Sequence, residues 1–194
     1  MILYHMSDTL KLGDTLSPDF KDCTSLAQPF VQALEQSEDC FYAMVLCGKY
    51  FCAVLRKFKL REWSNYVKWS VEGAFEFIRK TEFPHCVSRL KCNYFYDSLE
   101  NCKILFDYDW GQEDEEERSK VHLFEIETST ETCDKRDMRI YDEAYDAMEQ
   151  GEDVKKVLSC ARRYFAGERS ENPVWEILTD TPAKAVKDIS HHLR

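Results

Sequence analysis

Short apolar runs typical of β-strands are spread along the whole chain, and this spread constrains the fold more than any other sequence feature. Each run is rich in aromatic or branched side chains and is separated from the next by turn residues or by a helix-like segment. The five runs are Ile2–His5, Leu90–Tyr96, Val121–Glu127, Val174–Leu178 and Ala183–Ile189. Strands mixed irregularly with helices predict an α+β fold.

Several of the intervening segments predict helices. In the clearest one, apolar residues such as Val67, Val71 and Ile78 recur on one face at helical spacing. Asp97-Ser98 supplies a helix cap before another. The predicted helices are Leu26–Gln36, Glu62–Lys80, Leu99–Phe106, Asp137–Gln150 and Asp153–Phe165. Phe41–Leu55 is apolar on both sides and fits either a helix or a strand.

Size and charge limit the organisation and the partners. The 194 residues contain no internal repeat and no Gly/Ser-rich or Pro-rich linker, which predicts a single domain over residues 1–194. The formal net charge is -10, and seven acids without a base lie between Asp107 and Glu117. This run predicts a solvated acidic loop over about residues 107–118. The overall acidity argues against broad nonspecific binding of nucleic acids.

The cysteines and the N-terminal residues predict a compartment. There are nine cysteines, an odd number, without a Cys-x-x-Cys pair. Together with the absence of a signal-peptide pattern, this favours free thiols in a cytoplasmic protein. No apolar stretch is long enough to predict a membrane span, so no membrane partner is expected. His85, Cys86 and Cys92 do not have the spacing of a zinc site, so no metal is predicted.

Three polar residues within the strand-like runs are candidates for chemistry: His5, Tyr94 and Glu176. A histidine at a strand end either donates a hydrogen bond to a sugar hydroxyl or has a structural role. The ring of Tyr94 either stacks on a flat cation or packs in the sheet. The carboxylate of Glu176 either points to solvent or stabilises a developing positive charge. Taken singly, each residue leaves both alternatives open.

In this order and in strand settings, the three residues resemble the His-Tyr-Glu signature of ADP-ribosyltransferases. Tyr4-His5 followed by Ser7 is similar to the first motif, Asn93–Ser98 to the second, and Glu176-Ile177-Leu178 to the third. The resemblance implies an ADP-ribosyltransferase-like domain with a split, mixed or antiparallel sheet, flanking helices, and a helical insert at about residues 137–166. The chain also resembles an uncharacterised group of bacterial and phage proteins, through Ser88–Cys92 and Ser170–Pro173.

The resemblance implies a role for each residue in binding NAD. His5 would hold the ribose on the adenosine side, and Ser7 with the adjacent backbone would contact the nicotinamide side. Tyr94 would stack on the nicotinamide. Glu176 would bond the 2′-hydroxyl of the nicotinamide ribose and stabilise the ribosyl cation.

The chain departs from the family pattern in two places, and it offers one further candidate residue. Many family members have glycine after the histidine, where this chain has Met6. Many also carry a second stacking tyrosine, for which Phe106 and Tyr108 are the nearest candidates. Arg89 lies beside the central strand and is a candidate either for a bidentate clamp on the pyrophosphate or for a surface salt bridge.

The resemblance implies an enzyme that transfers ADP-ribose from NAD+ to a macromolecular acceptor, protein or nucleic acid, with release of nicotinamide. The implied setting is a toxin, an effector or phage–host conflict, with an antitoxin or another protein as a possible partner. Water as the acceptor would make the protein an NAD+ glycohydrolase. A third alternative is a catalytically inactive module that binds a basic protein partner through the acidic run.

Overall fold

A computed structural model of the protein describes residues 2–18, 63–129 and 133–193. The chain folds into two compact units. The sheet unit contains the described residues of 2–18, 91–135 and 174–193, and the helical unit contains those of 63–90 and 136–173. The predicted helix Leu26–Gln36 and the ambiguous segment Phe41–Leu55 lie outside the described residues. A single ADP-ribosyltransferase-like domain over 1–194 stays a prediction.

Within the described residues, seven strands form an antiparallel sheet in the order β2-β7-β4-β1-β3-β6-β5. Every predicted run contributes a strand, so the predicted combination of a sheet with several helices is confirmed. Two strands, β2 and β5, were not predicted. The strands are β1 (Leu3–Ser7), β2 (Thr15–Leu16), β3 (Asn93–Tyr96), β4 (His122–Thr128), β5 (Cys133–Asp137), β6 (Trp175–Thr179) and β7 (Ala183–Asp188).

One predicted strand is shorter than expected. Residues Arg89–Lys91 form a 3-10 turn, and the strand begins only at Asn93. The Ser88 hydroxyl accepts a hydrogen bond from the backbone N–H of Leu90 at 3.2 Å, which holds this turn. A serine that bonds the backbone two residues later competes with extended structure in this way.

Five helices are present among the described residues: α1 (Trp63–Glu82), α2 (Leu99–Trp110), α3 (Glu115–Lys120), α4 (Met138–Glu149) and α5 (Val154–Phe165). The predicted cap of α2 is confirmed, since the Ser98 side chain accepts from the N–H of Asn101. Asp153 caps α5 in the same way, by accepting from the N–H of Lys155. None of the described helices is long and apolar enough to cross a membrane.

The acidic run does not form the loop that the sequence predicts. Its first acids lie on the last turn of α2, and Glu115–Glu117 form the first turn of α3. Asp114 caps α3 by accepting a hydrogen bond from the N–H of Glu117 at 2.9 Å. Acids are favourable at this end of a helix because its free N–H groups carry partial positive charge.

Each face of the sheet has its own apolar cluster. On one face Leu3, Phe95, Phe124 and Ile177 are almost completely buried. On the other, Cys102 of α2 packs in a second cluster that includes Leu123, Ile189, Tyr4, Met6 and Tyr96. Alternation along each strand sends neighbouring residues to opposite clusters, as a sheet covered on both faces requires.

The helical unit is built around aromatic rings. Phe75 of α1 lies edge-on to Tyr141 of α4 and to Tyr164 of α5, with ring centroids 5.2 and 5.3 Å apart. Phe75 and Tyr164 are both fully buried. The predicted helical pattern of α1 therefore corresponds to a real core face.

Candidate functional site

The sheet brings the three candidate residues onto neighbouring strands. His5 lies on β1, Tyr94 on β3 and Glu176 on β6, and these strands are adjacent in the order β1-β3-β6. The residues are 89 and 82 positions apart in sequence. The residues are far apart in sequence, so it is the order of the strands in the sheet that brings them close together.

The register shows which of the candidate side chains share a face. Tyr96 pairs with both Tyr4 and Glu176, and Tyr94 pairs with Leu178. Residues directly opposite in an antiparallel pair project to the same face, as do alternate residues of one strand. Tyr94 and Glu176 therefore lie on one face as diagonal neighbours, typically about 7 to 8 Å apart.

His5 projects to the opposite face. Its neighbour Tyr4 belongs to the face of Tyr96, and the ring of His5 instead meets Phe95 edge-on at 5.8 Å. The three residues thus come together in the sheet, but they do not form a constellation on a single face.

The pairing between β1 and β3 is short next to His5. β1 pairs with β4 at five positions from Leu3 to Ser7, but with β3 only at Tyr4↔Tyr96. Beyond that position, the Nδ1 atom of His5 lies 3.0 Å from the backbone oxygen of Tyr94. The side chain of His5 therefore bridges the two strands where their backbone pairing has ended.

This contact sets the hydrogen-bonding role of His5. A carbonyl oxygen only accepts, so Nδ1 is assigned the proton and Nε2 is left as an acceptor in the neutral ring. Burial lowers the pKa of His5, and the bond to the Tyr94 carbonyl offsets that lowering only in part. The half-buried ring is therefore neutral near pH 7. At that pH Nε2 can accept a hydrogen bond from a hydroxyl group but cannot donate one, so the donor role expected for His5 toward a sugar hydroxyl is corrected to that of an acceptor.

Glu176 is a buried acid on an inner strand. Its side chain is 2 % exposed, between the half-buried Trp175 and the buried Ile177. The solvent-facing alternative for Glu176 is therefore wrong. Sequence reasoning missed Tyr96, which stands directly opposite Glu176. The Tyr-Phe-Tyr alternation was the available indication, because it places Tyr94 and Tyr96 on one face.

Two residues expected at the nicotinamide are engaged elsewhere. The Ser7 hydroxyl accepts hydrogen bonds from the N–H groups of Thr9 and Leu10, and so fixes the turn after β1. Phe106 is buried, with the Arg118 guanidinium 4.6 Å from its ring centre and Trp110 stacked at 5.8 Å. These contacts assign Ser7 to the turn and Phe106 to the packing of α2. They correct the expectation that Phe106 is a second ring stacked on the nicotinamide.

Arg89 belongs to the helical unit, where it forms a buried cluster. Its Nε and Nη2 atoms donate to the Glu72 carboxylate at 3.0 and 3.1 Å, and Nη1 donates to the Tyr164 hydroxyl at 2.7 Å. The guanidinium also lies 4.1 Å from the ring centre of Tyr141. The geometry supports the salt-bridge alternative, with the correction that the pair is buried. Arg89 is no longer a candidate pyrophosphate clamp.

A Ser-His-Asp set elsewhere in the sheet unit lacks the geometry of a nucleophilic triad. Asp188 and Ser190 both contact the same nitrogen of His122, Nδ1, at 3.0 and 3.2 Å. A triad needs the acid and the nucleophile on opposite ring nitrogens. Burial alone would raise the pKa of Asp188, but hydrogen bonds from Ser190 and His122 lower it overall. The set ties the end of β7 to β4.

Three of the described cysteines give no sign of an activated nucleophile. Burial raises the pKa of the Cys102 thiol to about 12, and burial also raises the pKa values of Cys133 and Cys160. Such thiols stay protonated near neutral pH and are poor nucleophiles. Within the described residues, no group of three or more His, Cys, Asp or Glu side chains is placed to hold a metal ion.

The chain belongs to the family described as "Protein of unknown function (DUF2441)", whose model matches residues 19–191. The matched range includes Tyr94 and Glu176 and begins after His5. No curated protein matches the chain.

Proposed function

We propose that this protein transfers ADP-ribose from NAD+ to a macromolecular acceptor and releases nicotinamide. The observation that carries the proposal is the convergence of His5, Tyr94 and Glu176 on the adjacent strands β1, β3 and β6. A second support is the early end of pairing between β1 and β3, because the resemblance implies a split sheet.

The proposed step breaks the bond between C1′ of the ribose and N1 of nicotinamide. The bonding electrons leave with nicotinamide, which becomes neutral, and a ribosyl cation develops. A nucleophilic atom of the acceptor then forms the new bond to C1′ and loses its proton to solvent. The Glu176 carboxylate would bond the 2′-hydroxyl and stabilise the cation, and Tyr94 would stack on the nicotinamide ring.

We place the proposed site beside β1 and β3 where their pairing ends, beyond Tyr4 and Tyr96. A ligand lying there would reach Nε2 of His5 on one side and the face of Tyr94 and Glu176 on the other. His5 would accept a hydrogen bond from a ribose hydroxyl, since its Nδ1 proton is donated to Tyr94. To contact both faces of the sheet, a ligand would have to pass between β1 and β3 where their pairing ends.

The test is nicotinamide release from NAD+ by the full chain and by Glu176→Gln, which keeps the shape and removes the charge. We expect the variant to lose at least about a hundredfold in rate, as electrostatic groups at a developing charge do. The matched control is Glu125→Gln on β4, where Glu125 pairs with Lys187 at 2.9 Å. Full activity of Glu176→Gln, or equal losses in both variants, would contradict the assignment of Glu176.

Two alternatives make different predictions. An NAD+ glycohydrolase would use the same residues with water as acceptor, and it would consume cellular NAD without adding ADP-ribose to any macromolecule. A catalytically inactive module that binds a basic protein is favoured by the engagement of Ser7 and Phe106 in local contacts. Mass spectrometry of cells expressing the chain separates these outcomes, because only a transferase leaves ADP-ribose on a protein or nucleic acid.

A further inference from the structure

The outer face of α2 exposes two large apolar side chains one helical turn apart. Ile104 is 45 % exposed and Tyr108 is 74 % exposed. Residues four apart are neighbours on a helix, so the two side chains form one continuous patch. The inner face of α2 is buried through Cys102, Leu105 and Phe106. The exposed patch of Ile104 and Tyr108 lies outside this buried face.

The chain segment that carries the Ile104/Tyr108 face is acidic. From Leu99 to Lys120 the chain has eight acids and three bases. Two of the bases are already used, since Arg118 pairs with Asp107 at 3.2 Å and Lys120 pairs with Glu117. Among the described residues, no basic side chain forms a salt bridge with Glu113 or Glu115, and both acids are exposed.

The acids are held in place beside α2. Besides Asp107, Arg118 of α3 donates to the backbone oxygen of Trp110 at 3.0 Å and lies over the Phe106 ring. These three contacts fix α3 against the last turn of α2. The negative charge of α3 is therefore held at the last turn of α2, the turn that also carries Tyr108.

We propose that the Ile104/Tyr108 face is a docking surface for a positively charged protein segment that carries an apolar or aromatic side chain. Charge complementarity selects the occupant, because lysines or arginines would meet the free acids while the apolar side chain covers Ile104 and Tyr108. A second copy of this chain would bring the same acids face to face, and nucleic acid would bring phosphates against them. The surface does not depend on the proposed enzymatic activity.

The experiment measures binding of a fluorescent synthetic peptide, made of lysines around one central tryptophan, to the full chain. We expect Ile104→Ser/Tyr108→Ser to weaken binding by about tenfold at constant salt, as loss of a central apolar contact does. We expect Glu113→Gln/Glu115→Gln to weaken it and to reduce its salt dependence. The charge-matched control, Glu168→Gln/Glu171→Gln, changes two exposed acids of the helical unit and should leave binding unchanged.

Three results would overturn the proposal. The first is unchanged peptide binding by Ile104→Ser/Tyr108→Ser, with its circular dichroism showing a folded protein. The second is an equal loss in the two glutamine variants, which would indicate attraction by net charge alone. The third is concentration-dependent dimerisation in sedimentation that Ile104→Ser/Tyr108→Ser abolishes, since the occupant would then be a second copy of the chain.

Discussion

His5 in the sheet unit and Arg89 in the helical unit are both side chains with several nitrogens and little exposure to solvent. They differ in how many of those nitrogens form hydrogen bonds within the protein. Arg89 uses all three side-chain nitrogens on Glu72 and Tyr164. His5 uses Nδ1 on the Tyr94 carbonyl, and within the described residues no protein group bonds its Nε2. A side chain whose polar atoms are all satisfied by its own unit has a structural role, whereas one with an atom left over can serve a ligand.

The largest expected effect breaks the Arg89 cluster. Arg89→Met leaves the Glu72 carboxylate buried without its cation, and we expect a loss of about 3 to 5 kcal/mol in the free energy of unfolding. Urea unfolding measures this loss. The double variant Arg89→Met/Glu72→Met should recover much of it, because no lone charge then remains buried.

A matched ion pair in the same unit serves as the control. Arg162 and Glu82 also form a bidentate pair, but both side chains are largely exposed. Water solvates either charge when the other is removed, so Arg162→Met should cost far less than Arg89→Met. Equal losses in the two variants would show that the buried position of Arg89 is unimportant.

An intermediate effect compares the helix caps of the two units. Asp137 is fully buried and accepts hydrogen bonds from the N–H groups of Arg139 and Ser170. Ser98 is half-buried, and its side chain caps α2 through the N–H of Asn101. We expect losses of about 2 kcal/mol for Asp137→Ala and about 1 kcal/mol for Ser98→Ala in thermal unfolding. A larger loss of stability for Ser98→Ala than for Asp137→Ala would contradict the expectation that the buried cap contributes more.

The smallest effect is the pH dependence that His5 contributes to stability. Burial holds the pKa of His5 in the folded protein below the ordinary 6.5. As the pH falls below about 6.5, the unfolded chain takes up the proton first, so stability falls with falling pH until the folded pKa is passed. His5→Asn, whose amide can still donate to Tyr94, should lose less stability between pH 7 and pH 5. Parallel curves for the two proteins in urea unfolding would contradict this assignment.

The sequence predicts the parts of the fold that have a clear hydrophobic period. The stripe of Val67, Val71 and Phe75 marks α1, and the apolar alternation of residues 121–127 marks β4. β5 was missed because Cys-Asp-Lys-Arg-Asp has no apolar alternation, and only pairing within the sheet makes it a strand. The short helix α3 was read as a loop because the acids that stabilise its first turn also resemble a solvated run.

The candidate site was predicted less completely than the fold. The order of His5, Tyr94 and Glu176 indicated three strands, but strand adjacency and register decide which side chains share a face. Arg89 could not be assigned, because its partners Glu72 and Tyr164 are 17 and 75 positions away. From its position in the sequence alone, an arginine just before a central strand is a candidate for binding a ligand.

Calorimetric titration of the full chain with NAD+ tests the central claim most directly, namely that the strands β1, β3 and β6 form an NAD site. We expect a binding heat for the wild type, and an affinity at least about tenfold lower for Tyr94→Ala, since a stacked ring contributes about 1 to 3 kcal/mol. The control Tyr145→Ala removes a half-buried tyrosine of the helical unit and should bind NAD+ like the wild type. No binding heat for the folded wild type at millimolar NAD+, or equal affinities for wild type and Tyr94→Ala, would contradict the account.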